Sequence, residues 1–272
     1  MHDQAGRAER FLALHRGLSP LLLPNPWDEG SAKLLASLGF SALATTSSGY
    51  AATLGRLDYS IGRDEMLAHA TRIVEATDLP VSADLEHGFA DEPASVAETI
   101  GLAVDTGLAG ASIEDFRGNP EEPIYDTALA AERVRAAAER AHRGSVHLVL
   151  TARAENYLHG HTDLADTIAR LQAYQEAGAD ALYAPGLSTL EEIRDLVRSV
   201  DRPVNVLAVP HGPAVGELAD AGVARISVGG AFAFDALGAL EEAARELLDE
   251  GTYGYSARAR AGQNAARAAF GT

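Results

Sequence analysis

Two short stretches of the sequence place acidic side chains at the ends of apolar runs. "SADLEHGF" carries Asp84 and Glu86 two residues apart, and "GASIED" ends in Glu114 and Asp115. Carboxylates that meet in one cavity repel each other unless protons or a divalent cation neutralise them. Oxygen ligands with few histidines suit Mg²⁺ or Mn²⁺ better than zinc. Asp84, Glu86 and Glu114, together with Glu155 of a third stretch, are therefore candidates to surround Mg²⁺, with Mn²⁺ as the alternative ion.

A third stretch, "TARAEN", places Arg153 and Glu155 after another apolar run. A guanidinium at such a place can bind a carboxylate or a phosphonate through two parallel hydrogen bonds. Two plainer interpretations stay open at this point. Arg153 could form a structural ion pair with Glu155, and the acidic residues could cap the helices that follow them, since Asp and Glu favour first helical turns.

Polar residues at three other places complete a candidate substrate site. "ATTSSGYAATLG" supplies hydroxyl groups and a glycine that could cradle a carboxylate, although a helix entry rich in Ser and Thr is the plainer interpretation. A tryptophan follows one further apolar run, and an asparagine belongs to another. The predicted substrate-binding residues are Trp27, Thr45, Thr46, Ser47, Arg153 and Asn205.

The elements that would position these residues alternate along the whole chain. Eight short apolar runs are separated by alanine-rich stretches with helical period, which is the pattern of βα units around a parallel sheet. The sequence therefore predicts an α/β protein with a (β/α)₈ barrel fold, in which polar residues at the carboxyl ends of the strands meet at one mouth. A doubly wound sheet is the rival fold. The predicted strands are Leu21–Leu23, Ala42–Thr45, Val81–Asp84, Ala111–Glu114, Val146–Thr151, Ala181–Ala184, Val204–Val209 and Arg225–Val228.

No linker or low-complexity segment divides the chain, so residues 1–272 are predicted to form a single barrel domain. An N-terminal helix precedes the first strand. Residues 251–272 are predicted to form an extra C-terminal helix, which could pack on its own barrel or on a neighbouring subunit.

Composition narrows the class of function. The chain has 39 Asp and Glu against 22 Lys and Arg, a formal net charge of −17, which disfavours binding to nucleic acid or to anionic membranes. It has no cysteine, so thiolate nucleophiles and disulfides are excluded. Lys33, the only lysine, falls in the first predicted helix of the barrel, away from the strand ends, which disfavours Schiff-base chemistry. We expect a cytoplasmic enzyme for a small molecule.

Taken together, these stretches resemble the isocitrate lyase and phosphoenolpyruvate mutase superfamily, from about Asn25 to about Gly230. The resemblance implies a Mg²⁺-dependent barrel enzyme that breaks or forms a C–C or C–P bond next to the carbonyl of a small 2-oxo acid, through an enolate. It makes Asp84 the metal-binding aspartate, puts Glu86 in place of a second aspartate and makes Glu114 an outer-sphere partner. Asp58 in "LGRLD" matches an aspartate near the metal, so the residues assigned to catalysis are Arg153, Asp58 and Glu114.

The sequence departs from this family at the loop after the fourth strand. Relatives carry a cysteine or a lysine there, whereas "DFRGNPEEPIYD" offers only Arg117 as a cation. The general acid or base is therefore open among Tyr183, His87 and Arg117. Pro185 and Ala208 stand where relatives have charged or histidine side chains, so the far wall of the pocket is expected to be uncharged.

Two further expectations follow from the comparison with the family. A protein that binds or senses a 2-oxo acid without turnover is the alternative function, because the loop motif is missing. The resemblance also implies a homodimer or homotetramer, in which residues 230–250 could be exchanged between subunits.

Overall fold

The eight apolar runs form eight parallel strands that surround one interior. The computed structural model describes residues 3–119 and 121–271. The strands follow one another in the order β1-β8-β7-β6-β5-β4-β3-β2, and β1 and β2 approach each other where the Ala44 N–H donates to the Pro24 carbonyl at 3.1 Å. The sheet is thus a nearly closed barrel, and the predicted (β/α)₈ fold is confirmed. The strands are β1 Leu21–Leu23, β2 Leu43–Ala44, β3 Val81–Asp84, β4 Gly110–Glu114, β5 Val149–Arg153, β6 Ala181–Tyr183, β7 Val204–Leu207 and β8 Arg225–Ser227.

Helices alternate with these strands, and the described residues form three more α-helices than the eight of the barrel repeat. They are α1 Gln4–Leu14, α2 Glu29–Ser37, α3 Ser47–Thr53, α4 Arg63–Glu75, α5 Pro93–Asp105, α6 Thr127–Ala141, α7 Leu164–Glu176, α8 Leu190–Ser199, α9 Val215–Asp220, α10 Ala231–Arg245 and α11 Ser256–Phe270. A 3₁₀ turn spans Asn156–His159, and a π turn at Glu246–Glu250 ends α10. Among the described residues, no helix combines the length and the apolarity that crossing a bilayer requires.

The fifth strand is displaced from its predicted place, Val146–Thr151, to Val149–Arg153. The segment before it is held by other partners: the Leu148 N–H donates to the Ala141 carbonyl at the end of α6 rather than to a strand. Arg153 is consequently the last residue of β5 and not a loop residue. Its side chain therefore projects from the rigid sheet at the mouth.

The N-terminal helix α1 closes the barrel at the end opposite the mouth. Phe11 is fully buried and packs with Leu21 and Val149 at the start of β1 and β5. A Cβ on Gly110 would lie 2.7 Å from the Phe11 ring, so the first residue of β4 is a glycine because the ring occupies that space. This plug fills the barrel opposite the mouth, while the cavity lined by the strand ends opens at the mouth.

The predicted C-terminal helix is present as α11 and packs on α2 of its own chain, where the Phe270 ring lies over Gly30. The preceding helix α10 has a different character. Phe234 and Leu240 on it are 51% and 65% exposed, although both are large apolar side chains. The homodimer or homotetramer that the family resemblance implies stays a prediction.

Candidate active site

The carboxyl ends of the strands enclose a cavity of about 130 Å³ at the mouth of the barrel. Eight of the predicted site residues line it: four lie in strands β3, β4, β5 and β7, and the other four lie in residues 45–58 after β2. These are Thr45, Thr46, Ser47, Asp58, Asp84, Glu114, Arg153 and Asn205. Trp27 and Glu86 are not among them: the Trp27 side chain lies in a separate apolar groove between α3 and α10, and Glu86, a predicted metal ligand, does not line the cavity.

Arg153 stands at the centre of the acidic side of this cavity. Its guanidinium contacts the carboxylates of Asp84 at 3.0 Å, Glu114 at 3.2 Å and Glu155 at 2.8 Å. The ion pair with Glu155, one of the plainer interpretations of the sequence, is therefore present, but it is one of three. Carboxylates from β3, β4 and the β5 loop share one cation, which is possible only because parallel strands bring their ends together.

The other plainer interpretation, helix capping, does not account for the mouth carboxylates. The helices that follow β3 and β4 begin after Glu92 and Asp126 as N-cap residues. Asp84 instead accepts hydrogen bonds from the Ser47 N–H at 3.1 Å and the Ser47 hydroxyl at 2.9 Å. The hydroxyl of Thr45 accepts from the Asp84 N–H at 2.9 Å. Thr45 and Ser47 thus fix the orientation of Asp84.

Glu86 is held behind Asp84 in an unusual environment. Its backbone lies in the left-handed region at φ 48°, and its side chain is buried with Oε1 lacking a hydrogen-bond partner among the described residues. Burial and the neighbouring Asp84 and Asp58 carboxylates raise the pKa of Glu86 to about 8. A buried, unpartnered carboxylate oxygen beside two more carboxylates is a place that a cation would stabilise.

The three predicted metal ligands are not gathered tightly enough to hold one ion together by direct contact. In the described ranges, one set of three residues has ring-nitrogen or carboxylate-oxygen atoms that all lie within 4.8 Å of one another. These residues are His142, His147 and Asp180. Those residues precede β5 and β6 and lie at the opposite end of the barrel. The all-oxygen set at the mouth fits Mg²⁺, which takes one or two carboxylates directly and reaches others through water.

Tyr59 is a site residue that sequence reasoning missed. Its hydroxyl donates to Glu114 Oε1 at 2.6 Å and lines the cavity, while its backbone adopts φ 59°. Burial and the Glu114 carboxylate raise the pKa of Tyr59 well above its ordinary value, so the phenol stays protonated. Burial likewise raises the pKa of Glu114, against the opposing effect of Arg153. The signal available in the sequence was only the adjacency of Tyr59 to Asp58.

Of the three candidates for general acid or base, one lines the cavity and two do not. Tyr183 lines the cavity, with the Arg153 guanidinium 5.2 Å from its ring centroid. Arg117 pairs with Glu122 at 3.0 Å, and neither Arg117 nor His87 lines the cavity. Lys33 is exposed on α2 and is also absent from the cavity wall, as expected.

The far wall of the cavity carries a charge that the sequence analysis did not expect. Arg225, the first residue of β8, lines the cavity, so the prediction of an uncharged far wall is wrong. Asn205 lies beside it and accepts from Arg225 Nε at 2.9 Å, while its amide donates to the Ser227 hydroxyl at 2.9 Å. That expectation rested on Pro185 and Ala208, after β6 and β7, and took no account of Arg225 at the start of β8.

Comparison with known proteins agrees with this geometry. The phosphoenolpyruvate phosphomutase family model matches residues 11–248. The chain belongs to this family. It is also similar to an uncharacterised protein of Mycobacterium tuberculosis H37Rv, with 35% identity over 243 residues, which cover 88% of this chain and 89% of that protein. The superfamily consists of lyases and mutases that cleave C–C or C–P bonds.

Two solved structures extend the likeness to the fold. A Burkholderia cenocepacia J2315 protein, provisionally named a lyase/mutase, has 52% identity and a TM-score of 0.91, and the match covers 93% of this chain and 91% of that one. The 2,3-dimethylmalate lyase, a member of the PEP mutase/isocitrate lyase superfamily, has 30% identity and a TM-score of 0.82 over 91% of this chain and 89% of its own.

Proposed function

We propose that this protein is a Mg²⁺-dependent lyase, or a closely related hydrolase or mutase, that cleaves a C–C or C–P bond next to the carbonyl of a small 2-oxo acid and leaves an enolate. The observation that carries the proposal is the convergence of Asp58, Asp84 and Glu114 on one cavity. Membership of a superfamily of lyases and mutases supports it, as does the name of the similar 2,3-dimethylmalate lyase.

The residues that would hold the cation are Asp84 directly and Glu86, Glu114 and Asp58 directly or through water. Mg²⁺ is the proposed ion, with Mn²⁺ as a substitute, and when bound it would polarise the 2-oxo group and offset the charge that develops as the adjacent bond breaks. Burial and Asp84 raise the pKa of Asp58, which shows how crowded with negative charge this wall is.

The chain's own residues supply orientation and proton transfer. Thr46 lines the cavity, where its hydroxyl would donate to the substrate carboxylate, whereas the Ser47 hydroxyl already donates to Asp84 and would act by orienting that metal ligand. Tyr59 Oη, a neutral hydroxyl on the cavity wall, is the proposed proton donor to the enolate carbon, and the Glu114 carboxyl, whose pKa burial raises, would return a proton to the phenol oxygen as the first one leaves. Glu114 Oε1, which accepts from that hydroxyl at 2.6 Å, would fix its direction.

Arg153 keeps its proposed catalytic role as the cation that holds the acidic wall together. Its three carboxylate partners leave little of the guanidinium for a ligand, so binding of a substrate acid group would require one partner to turn toward the metal. Mg²⁺ bound to Asp84 would turn this carboxylate away from Arg153 and leave part of the guanidinium for the substrate.

Exchange of the methyl protons of pyruvate in D₂O tests the proposal. This exchange requires the enolate half of the proposed reaction but no cleavage of a C–C or C–P bond. We expect exchange with Mg²⁺, none with chelator, and at least a roughly hundredfold loss in Asp84→Asn, since removing a group that stabilises developing charge has that effect. Glu132→Gln, on the exposed face of α6, is the matched control and should exchange at the normal rate.

One observation favours the alternative of a binding or sensing protein: among the described residues, the loop after β4 contributes no acid or base to the cavity. For that function, 2-oxo acids should raise the thermal unfolding midpoint without exchange and without product across a panel of C–C and C–P substrates. Metal-dependent exchange that Tyr59→Phe abolishes would exclude it.

A further inference from the structure

Arg133 on α6 is among the largest fully buried side chains, with 1% of the residue exposed. Its guanidinium donates from Nη1 to the Glu114 carbonyl at 3.2 Å, and from Nη2 to the Ala90 carbonyl at 2.9 Å and to the His87 carbonyl. These carbonyls belong to two segments of the chain, the end of β4 and the loop after β3. One side chain from the helix layer thus ties both backbones together.

The loop after β3 needs such support because its backbone is strained. Glu86 and Phe89 have φ values of 48° and 59°, and Gly88 between them has a φ of 76°. A left-handed conformation of a non-glycine residue costs free energy and persists only where the surrounding structure holds it in place. The two loop carbonyls that accept from Arg133 lie within this left-handed stretch and directly after it.

The same contacts bear on two of the carboxylates proposed to surround the cation. Glu86 directly precedes one of the carbonyl acceptors, and its own carbonyl accepts from the Glu114 N–H at 3.0 Å. Arg133 therefore holds together the two backbone segments that carry the Glu86 and Glu114 side chains. Asp84 is oriented independently of this arginine, by the N–H and hydroxyl of Ser47.

Arg7 provides a comparison within the same molecule. It lies on α1 and is likewise buried, with 8% of the residue exposed, and its guanidinium donates to the Gly107 carbonyl at 3.2 Å. That contact lies before β4, at the end of the barrel opposite the mouth. Burial against a backbone carbonyl therefore does not by itself define a role at the site. The contacts of Arg133 differ because they join the two segments that carry proposed cation ligands.

We propose that Arg133 is a positioning residue for the divalent cation. By tying the loop after β3 to the end of β4, it keeps the Glu86 and Glu114 carboxylates within reach of the cation that Asp84 binds, directly or through water. This inference rests on the proposed function and adds a residue that touches neither the cation nor the substrate. Groups that orient the ligands of a metal change its affinity about 10- to 100-fold when they are removed.

Calorimetric titration with Mg²⁺ tests this role. Arg133→Met should weaken Mg²⁺ binding about 10- to 100-fold. Arg7→Met, which removes a buried arginine with a carbonyl acceptor far from the mouth, is the matched control and should bind Mg²⁺ with native affinity. Arg133→Lys keeps the buried charge and decides the question if Arg133→Met does not fold. A single ammonium cannot replace two nitrogens that reach separate segments, so binding should weaken about tenfold.

Hydrogen exchange in chelator adds a measurement that needs no bound cation. The Gly88 and Glu114 amides, which donate to the Leu85 and Glu86 carbonyls, report opening of the loop after β3. In Arg133→Met these two amides should exchange about tenfold faster than any change in the amides of β7 accounts for, which is the effect of losing one hydrogen bond. In Arg7→Met the Gly88 and Glu114 amides should change no more than those of β7.

The outcomes separate this inference from the proposed function. If every Arg133 variant that folds binds Mg²⁺ with native affinity, the inference is overturned. It is also overturned if Arg7→Met weakens Mg²⁺ binding as much as Arg133→Met, because lost stability would then explain both results. A native protein that binds no Mg²⁺ contradicts the proposed function as well. Mg²⁺ binding that depends on Arg133, without any exchange of pyruvate protons, contradicts the proposed function alone.

Discussion

Glu86 gives the account its sharpest quantitative prediction. The pKa of its carboxyl is raised from 4.5 to about 8, because the group is buried beside Asp84 and Asp58. The folded protein therefore binds more protons than the unfolded chain between these values, and the free energy of unfolding falls as pH rises through them. At 1.36 kcal/mol for each unit of pKa shift, the unfolding free energy would fall by about 5 kcal/mol across this pH range. Because the protein relaxes around the charged carboxylate, we expect a fall of about 3–5 kcal/mol.

Glu86→Gln removes this cost without changing the shape of the side chain. In chelator, we expect the variant and the native protein to have similar unfolding free energies near about pH 5, with the variant about 3–5 kcal/mol more stable near about pH 9. Excess Mg²⁺ should stabilise the native protein most at high pH, by about 2.7 kcal/mol at a concentration of 100 Kd, and should stabilise the variant less.

Urea-induced unfolding followed by circular dichroism across this pH range measures both effects. Glu132→Gln, an exposed glutamate on α6, is the control and should follow the native curve. The reasoning is refuted if Glu86→Gln tracks the native protein at every pH. It is also refuted if Mg²⁺ stabilises both proteins equally, since the unpartnered carboxylate would then have no part in cation binding.

Three other substitutions test separate parts of the site. Tyr59→Phe should slow pyruvate proton exchange by about 10²- to 10⁴-fold with Mg²⁺ affinity unchanged, whereas Tyr253→Phe on the surface should not, and unaltered exchange would remove Tyr59 from the reaction. Arg153→Met should lower the unfolding free energy in urea by about 3–5 kcal/mol, because it strands two buried carboxylates and the partly buried Asp84; a loss below about 1 kcal/mol would mean that they are already protonated. Gly88→Ala should cost about 1–3 kcal/mol in the same assay, because φ is 76° and the new Cβ would lie 2.9 Å from Val96 Cγ1, and a neutral result would contradict this packing.

Strand-end residues were predictable because geometry constrains them strongly. Parallel strands present their carboxyl ends at one edge, so Asp84, Glu114 and Arg153 had to meet once the barrel was inferred. The negative charges of the carboxylates among them then indicated a cation site. The same logic placed Thr45 and Ser47 nearby, although their observed role is to orient Asp84.

Residues whose position depends on loop conformation or strand register were not predictable in this way. Tyr59 reaches Glu114 only because its backbone adopts a left-handed conformation that sequence pattern does not reveal. Arg225 begins a short strand, and whether such a residue faces the cavity or the helix layer is set by the register of β8 against β7. Trp27 follows β1 as predicted, yet it lies in the groove beside α10 and not in the cavity.

The central claim is that acidic side chains from separate segments hold a divalent cation at the mouth of the barrel. Anomalous scattering from crystals grown with Mn²⁺ locates such an ion directly. We expect one strong peak at coordination distance, about 2.1 Å, from an Asp84 carboxylate oxygen, with Glu86 or Glu114 oxygens in its surroundings. A peak only at His142, His147 and Asp180, or no peak within the mouth cavity, would contradict it.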